Sequence, residues 1–316
     1  MPFNTRTLKL LREALARRQP LRKVTNALRL VNAKGDHLEG LVLEQYGKHF
    51  VAQVFSPFWL REAVSLMGFL KNYERVDYFI IKDRIQSASS NPRDIKTQVL
   101  AGGFNSCITV CENGLHFEVD LNDTLNTGLF LDMRANRKLV GQNCKNKKVL
   151  NCFSYTCSFG IYSRVYGARE VMNIDINKKA LERARTNYNL NGLKIQPQEF
   201  VRADVAIFLE RALRKHNYFD VIILDPPSFA RADGKVFSVQ KDLPKLLKLA
   251  ISLLNKGGQI FVSTNLSGIS HRNLEETLKK ADQNRPKKFT RLGQDVDFPG
   301  SGQVKESHLA ALWVEY

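Results

Sequence analysis

Residues 148–175 read KVLNCFSYTCSFGIYSRVYGAREVMNID, and the fold turns on this stretch. A short strand expected at Lys148 to Cys152 leads into a hydroxyl-rich loop, Phe153-Ser154-Tyr155-Thr156. A helix centred on Tyr162 follows, and a second strand from Glu170 to Ile174 leads to Asp175. Two strands joined through a helix are parallel, because an antiparallel pair needs only a hairpin turn.

Toward the C-terminus the alternation continues with strands expected at Gln198 to Arg202, Phe219 to Leu224 and Gln259 to Ser263, and a closing hairpin between Lys288 and Glu315. Helices centre on Leu181, Leu209 and Leu247. This predicts an α/β domain over residues 121–316, a Rossmann-like parallel sheet with helices on both faces. Toward the N-terminus the texture is different. Leu8, Leu11, Ala14 and Leu15 mark a basic amphipathic helix in residues 1–19, closed by Pro20. Residues 20–120 read as a small α+β domain: strands between Leu28 and Phe55, a helix around Phe58 to Leu70, a strand at Tyr78 to Lys82, a polar loop at Ser87 to Arg93, and a hairpin turned at Glu112-Asn113-Gly114.

Composition narrows the function. A chain of 316 residues with 43% hydrophobic and 25% charged residues is an ordinary globular protein. Its apolar runs are strand-sized, far short of the roughly 18 residues that cross a bilayer, so no membrane span and no secretion signal are expected. The five cysteines form no C-x-x-C pair and lie near no histidine at ligand spacing, which predicts no metal site and a reducing, cytoplasmic location. The net charge of +17 favours a polyanionic partner through counterion release. Residues 1–34 carry nine basic side chains (Arg6, Lys9, Arg12, Arg17, Arg18, Arg22, Lys23, Arg29 and Lys34) against Glu13 alone. Such a run is either a contact surface for nucleic acid or a solvated helix face.

Ligands of parallel sheets sit beyond the carboxyl ends of the strands. The first loop, Phe153 to Gly160, lacks the G-x-G-x-x-G that lets a backbone approach a pyrophosphate, which disfavours NAD and leaves room for S-adenosylmethionine. Asp175 ends the second strand, where a carboxylate can accept from both ribose hydroxyls, or cap the helix starting near Lys178. Asp204, after the third, can accept from an adenine amino group or cap its own helix. The fourth strand ends in Asp225-Pro226-Pro227-Ser228-Phe229. Two prolines fix φ and donate no N–H, so the carboxylate and prolyl carbonyls face the cleft as acceptors and Phe229 can stack on a base.

These residues carry a resemblance. Thr127-Gly128-Leu129-Phe130-Leu131-Asp132-Met133-Arg134-Ala135-Asn136-Arg137, Leu150 to Phe159, Asp175 and Asp225 to Phe229 resemble the class I S-adenosylmethionine-dependent 23S ribosomal RNA methyltransferases, of the large-subunit methyltransferase I type and the C-terminal half of the K/L type. Thr25 to Asn32, Gly35-Asp36 and Gly40-Leu41 are similar to that family's central α+β domain. The resemblance implies a class I methyltransferase sheet, a cofactor pocket lined by Arg134, Phe153, Ser154, Tyr155, Thr156, Asp175, Ile176, Asp204, Val205 and Asp225, and Phe229 facing the base. Ribosomal RNA of the large subunit is the implied partner, with either a monomer or a homodimer as the assembly.

The sequence departs from the family pattern in three places. Cys157 and Ser158 stand where paired glycines are common, so positive φ must be reached there without glycine. Met133 replaces the usual Gln. No RNA-binding PUA domain is expected ahead of the central domain, which would leave RNA contacts to the basic helix.

Members that methylate cytosine C5 carry a thiol after the fifth strand, because C5 becomes nucleophilic only once a thiolate adds to C6. Here that stretch is Ser263-Thr264-Asn265, which argues against C5 chemistry. Guanine N7 already carries a lone pair and needs alignment more than a base. It is the expected acceptor, with Asp225, the carbonyls of Pro226 and Pro227, and Asn265 orienting the guanine. An exocyclic amine, N2 of guanine or N6 of adenine, is the alternative target, and a non-catalytic RNA-binding assembly factor the alternative function. His271 and His308 have no carboxylate orienter in view and are assigned no role.

Overall fold

The computed structural model describes residues 3–85, 95–103, 106–227, 229–232, 235–266, 268–282, 288–300 and 309–316, with the backbone alone at 229–232 and 235–239. The expected polar loop at Ser87 to Arg93 and His308 lie outside the described residues. The chain divides into two compact units: Met1–Arg134 with Gln294–Lys305, and Ala135–Gly293 with Glu306–Tyr316.

In the first unit, helix α1 (Thr5–Arg18) starts where the Asn4 side chain accepts the Thr7 N–H at 2.8 Å, and it buries Leu11, Ala14 and Leu15. These side chains share one core with Leu28, Leu30, Leu43, Phe50 and Phe79 of the adjoining sheet, so the basic helix is part of the small domain's core. That sheet runs β1 (Ala27–Asn32), β2 (Leu41–Tyr46), β3 (His49–Val54), β4 (Tyr78–Asp83) and β5 (Lys96–Ala101) in sequence order. Only β3 and β4 are parallel. Their crossover is two short helices, α2 (Pro57–Arg61) and α3 (Ala63–Leu70), instead of the single helix expected, because Glu62 at φ −88° and ψ 9° leaves the helical conformation. A hairpin follows, β6 (Cys107–Glu112) and β7 (Leu115–Asp120), turned at Asn113-Gly114 with φ 51° and 80°, the conformations a two-residue turn of this kind requires.

The first unit extends past residue 120 to Arg134 and takes in a distant segment because buried polar groups tie these pieces together. Arg134 places Nη1 3.1 Å from Asp295 and 3.2 Å from Asp297, and Nη2 2.9 Å from Asp297 and 3.0 Å from the Ala27 carbonyl. Arg18, wholly buried, reaches both oxygens of Asp36 at 2.6 Å and the Asp297 carbonyl at 3.0 Å. Gly35 is required here: a Cβ on it would lie 2.0 Å from the Pro299 carbonyl oxygen.

The second unit holds a seven-stranded sheet built from β8 (Lys148–Cys152), β9 (Glu170–Asp175), β10 (Phe200–Arg202), β11 (Phe219–Leu224), β14 (Leu254–Thr264), β15 (Lys288–Leu292) and β16 (Ala310–Glu315), in the order β10-β9-β8-β11-β14-β16-β15. The first five are mutually parallel, and β16 and β15 close the edge antiparallel. A small hairpin, β12 (Phe229–Ala232) with β13 (Lys235–Ser238), follows β11. Helices α4 (Arg134–Gln142), α5 (Ser158–Val165), α6 (Lys178–Leu190), α7 (Val205–Arg214), α8 (Val239–Ser252) and α9 (His271–Ala281) connect the strands. Leu150, Ile222, Leu224, Ile260 and Val262 pack against Leu209, Leu247, Leu274 and Leu278 of the covering helices. This is the expected Rossmann-like architecture, and its strand order reverses between β8 and β11, where such sheets open a crevice. No described helix is long and apolar enough to cross a membrane.

Candidate active site

Register brings five strand ends to one edge: Cys152 lies opposite Ile174 and Leu224, Arg202 opposite Asp175, and Leu224 opposite Val262. Neighbouring strands are about 4.8 Å apart, so Asp175 and Asp225, flanking β8 on either side, sit on the order of 10 Å apart.

The loop leaving β8 is held in an uncommon conformation. Phe153, Tyr155 and Cys157 have φ of 56°, 48° and 60°. Side chains other than glycine rarely adopt such angles, and they persist only where the surroundings over-determine them. Here the Ser154 N–H donates to the Ile174 carbonyl at 3.0 Å, the Tyr155 N–H to Asp175 Oδ2 at 2.7 Å, the Cys157 N–H to the Ser154 carbonyl at 2.7 Å, and Asn187 Nδ2 to the Thr156 carbonyl at 3.2 Å. Cys157 thus meets the left-handed requirement without glycine, and Ser158 simply begins α5.

Beneath the loop, a Cβ on Gly160 would fall 2.2 Å from Asn173 Oδ1, so α5 approaches the sheet this closely only with glycine. Asn173 accepts from Asn151 Nδ2 at 2.9 Å and donates to the Tyr188 hydroxyl at 2.9 Å. Sequence reasoning assigned no part to Gly160, Asn151, Asn173, Asn187 or Tyr188. The available signal was an asparagine set among apolar neighbours in each of two strands, since a buried amide requires partners.

Asp175 takes the Tyr155 N–H on one oxygen and the Asn177 N–H, at 2.8 Å, on the other. It does not cap α6. That is Asn177, whose side chain accepts from the Ala180 N–H. Burial raises the Asp175 carboxyl above its ordinary range, opposed by these backbone hydrogen bonds. A carboxylate has about four lone-pair sites, so capacity is left for two ribose hydroxyls. Ile176 follows, 38% exposed at the rim. Asp204 does cap α7, accepting the Ile207 N–H at 3.0 Å, and is itself exposed, with Val205 buried behind it.

Asp225 is half-buried, and Ser263 Oγ donates to its Oδ1 at 2.6 Å. Pro226 is buried, while Pro227 and Asn265 are exposed. Phe229 opens β12, and its side chain lies outside the described residues. Cys152 and Cys157 are wholly buried, and burial pushes both thiols far above their usual range. Neither presents a thiolate to a base. The partners described for Arg134, the Ala27 carbonyl, Asp295 and Asp297, all belong to the first unit.

Among the described residues the edge offers three carboxylates, Asp175, Asp204 and Asp225, and no glycine cradle for phosphate. S-adenosylmethionine is cationic at sulfur and presents ribose hydroxyls and an adenine amino group as donors, so this acceptor-rich edge fits it. His271 packs with Nε2 3.0 Å from the Leu292 carbonyl. No cluster able to hold a metal ion occurs among the described residues.

The chain is similar to known proteins in sequence and in fold. The family model of S-adenosylmethionine-dependent methyltransferases matches residues 84–309. Ribosomal RNA large subunit methyltransferase I of Aeromonas salmonicida is 35% identical over 284 residues, covering 87% of this chain and 69% of that protein. The protein of the same name from Photobacterium profundum is 32% identical over 301 residues, covering 92% of this chain and 73% of its own length. Among solved structures, a methyltransferase complexed with SAH superposes with a TM-score of 0.88 at 28% identity, over 100% of this chain and 83% of that one.

Proposed function

The chain belongs to the S-adenosylmethionine-dependent methyltransferase family, and from that premise we propose that it methylates a base of large-subunit (23S) ribosomal RNA, with guanine N7 as the acceptor atom. The enzyme is a methyltransferase and S-adenosylmethionine its cofactor. The RNA substrate is inferred from relatives named for large-subunit ribosomal RNA, and from a charge of +17 suited to a polyanion. Such a substrate accords with action in the cytoplasm.

One observation carries the choice of atom: the edge offers acceptors and no usable thiol. S-adenosylmethionine supplies a methyl group on a sulfonium. At guanine N7 the ring lone pair forms the new N–C bond as the S–C bond breaks, and its electron pair stays on sulfur, leaving S-adenosylhomocysteine. The methylated base carries the positive charge and no proton has to leave, so the protein's task is alignment. Asp175 and Asp204 would hold the ribose and adenine, the turn of Phe153, Ser154, Tyr155 and Thr156 with Val205 would shape the pocket, and Asp225, Pro226, Pro227 and Asn265 would orient the guanine with Phe229 stacked on it.

A second reading, methylation of an exocyclic amine, is favoured by one feature. The Asp225 carboxylate is fixed by Ser263 at 2.6 Å, and such an acceptor can take the proton an amine must lose. Incubation with radiolabelled S-adenosylmethionine and unmethylated large-subunit RNA, then nucleoside digestion and mass spectrometry, separates the readings. The expected product is 7-methylguanosine. N2-methylguanosine or N6-methyladenosine would establish the second reading, and 5-methylcytidine would overturn the argument from the missing thiol.

A further inference from the structure

Ser263 ends no motif and touches no reacting atom in the proposed site, yet its placement is specific. In β14, Ile260 and Val262 face one side of the sheet and join the core beneath α7, α8 and α9. Phe261 faces the other side, its ring 5.0 Å from that of Phe159 in α5, and alternation puts Ser263 on that same side. In β11, Leu224 belongs to the first face, so Asp225 emerges on the second. The parallel register sets Leu224 opposite Val262, making Ser263 the immediate neighbour of Asp225 one strand spacing away.

The Ser263 side chain is wholly buried, and its hydroxyl donates to Asp225 Oδ1 at 2.6 Å, the short distance of a charge-assisted bond. A neutral donor locked in a strand restrains the torsions of the carboxylate it meets without adding a charge. We infer that Ser263 is a positioning residue for Asp225: its hydroxyl helps hold the carboxylate in the orientation that meets the base, before substrate arrives. Pre-set groups of this kind gain rate because no reorganisation remains for the moment of reaction.

The inference rests on the reading that Asp225 contacts the target base. A double-mutant cycle tests the two separately, using single-turnover transfer from radiolabelled S-adenosylmethionine to large-subunit RNA, with cofactor affinity measured by calorimetry. Ser263→Ala is expected to slow transfer by about 10- to 100-fold, the effect of losing one hydrogen bond to a charged group, with cofactor affinity changed less than about twofold. In an Asp225→Ala background the same change is expected to have no further effect, because its route of action is gone. Ser263→Cys, nearly isosteric and a weaker donor, is expected to fall between, and it carries the test should the alanine variant not fold. A wild-type rate in both Ser263 variants, or losses that multiply fully with Asp225→Ala, would overturn the positioning role. An unimpaired Asp225→Ala enzyme would instead overturn the base-contact reading itself.

Discussion

In the proposed site Asp175 is the side chain that would meet the ribose of the cofactor. Burial disfavours its charged form and lifts the carboxyl above the ordinary value, while the Tyr155 and Asn177 N–H groups pull the other way. Because the folded value is raised, ionisation of Asp175 withdraws stability as pH rises through it. Ribose hydroxyls, in contrast, would donate to the ionised form, so cofactor affinity should climb over the same window. Below the Asp175 pKa, affinity should weaken by about tenfold per pH unit, and Asp175→Asn should flatten the profile. Calorimetric titrations from acid to neutral pH check this. A wild-type profile as flat as the variant's would show that the carboxylate does not meet the cofactor.

Elements carry the second level of the account, and helix ends show how one carboxylate can serve fold and site together. Asp204→Ala removes the cap of α7 and should cost about 1 kcal/mol in denaturant unfolding, whereas Asp204→Asn restores that stability, asparagine being as good a cap. If the second oxygen also meets adenine, the Asn variant should still bind the cofactor more weakly than wild type. Equal affinity would reduce Asp204 to a cap. The segment around Asp297 is a stability device of a different kind: Asp297→Ala would leave the buried Arg134 guanidinium short of its main partner and should cost about 3–5 kcal/mol. A loss under about 1 kcal/mol would mean that Arg134 finds other acceptors.

Much of this level was legible in the sequence. Strands β8 and β11 fall where apolar patterning placed them, and the hairpin turn at Asn113-Gly114 was readable because that dipeptide takes positive φ at low cost. What could not be read were partners distant along the chain. Nothing local to Arg134 announces Asp297, and nothing local to Asp225 announces Ser263, since both pairings are set by tertiary register. The break at Glu62 was hidden because the apolar spacing of α2 and α3 runs on through it.

At the scale of the whole molecule the basic charge needs sorting, because the N-terminal cluster is less available than its composition implies. Of the basic residues before position 35, Arg17 and Arg18 engage Asp36, Arg22 engages Glu74, and Arg29 engages Glu44. Arg6, Lys23 and Lys34 are exposed to solvent and are the better candidates for phosphate contact. Changing these three to Gln should lower RNA affinity and reduce the slope of log K against log salt by about 2–3, at roughly 0.7–0.9 per contact, with cofactor affinity untouched. An unchanged slope would move the RNA surface elsewhere on the molecule.

In the proposed site carboxylates at the strand ends divide the work, Asp175 holding cofactor and Asp225 holding the base. Calorimetric titration of S-adenosylmethionine into the wild type, Asp175→Ala and Asp225→Ala tests it most directly. A large loss of affinity is expected for Asp175→Ala and near wild-type affinity for Asp225→Ala. Unchanged affinity at Asp175, or equal losses at both, would contradict it.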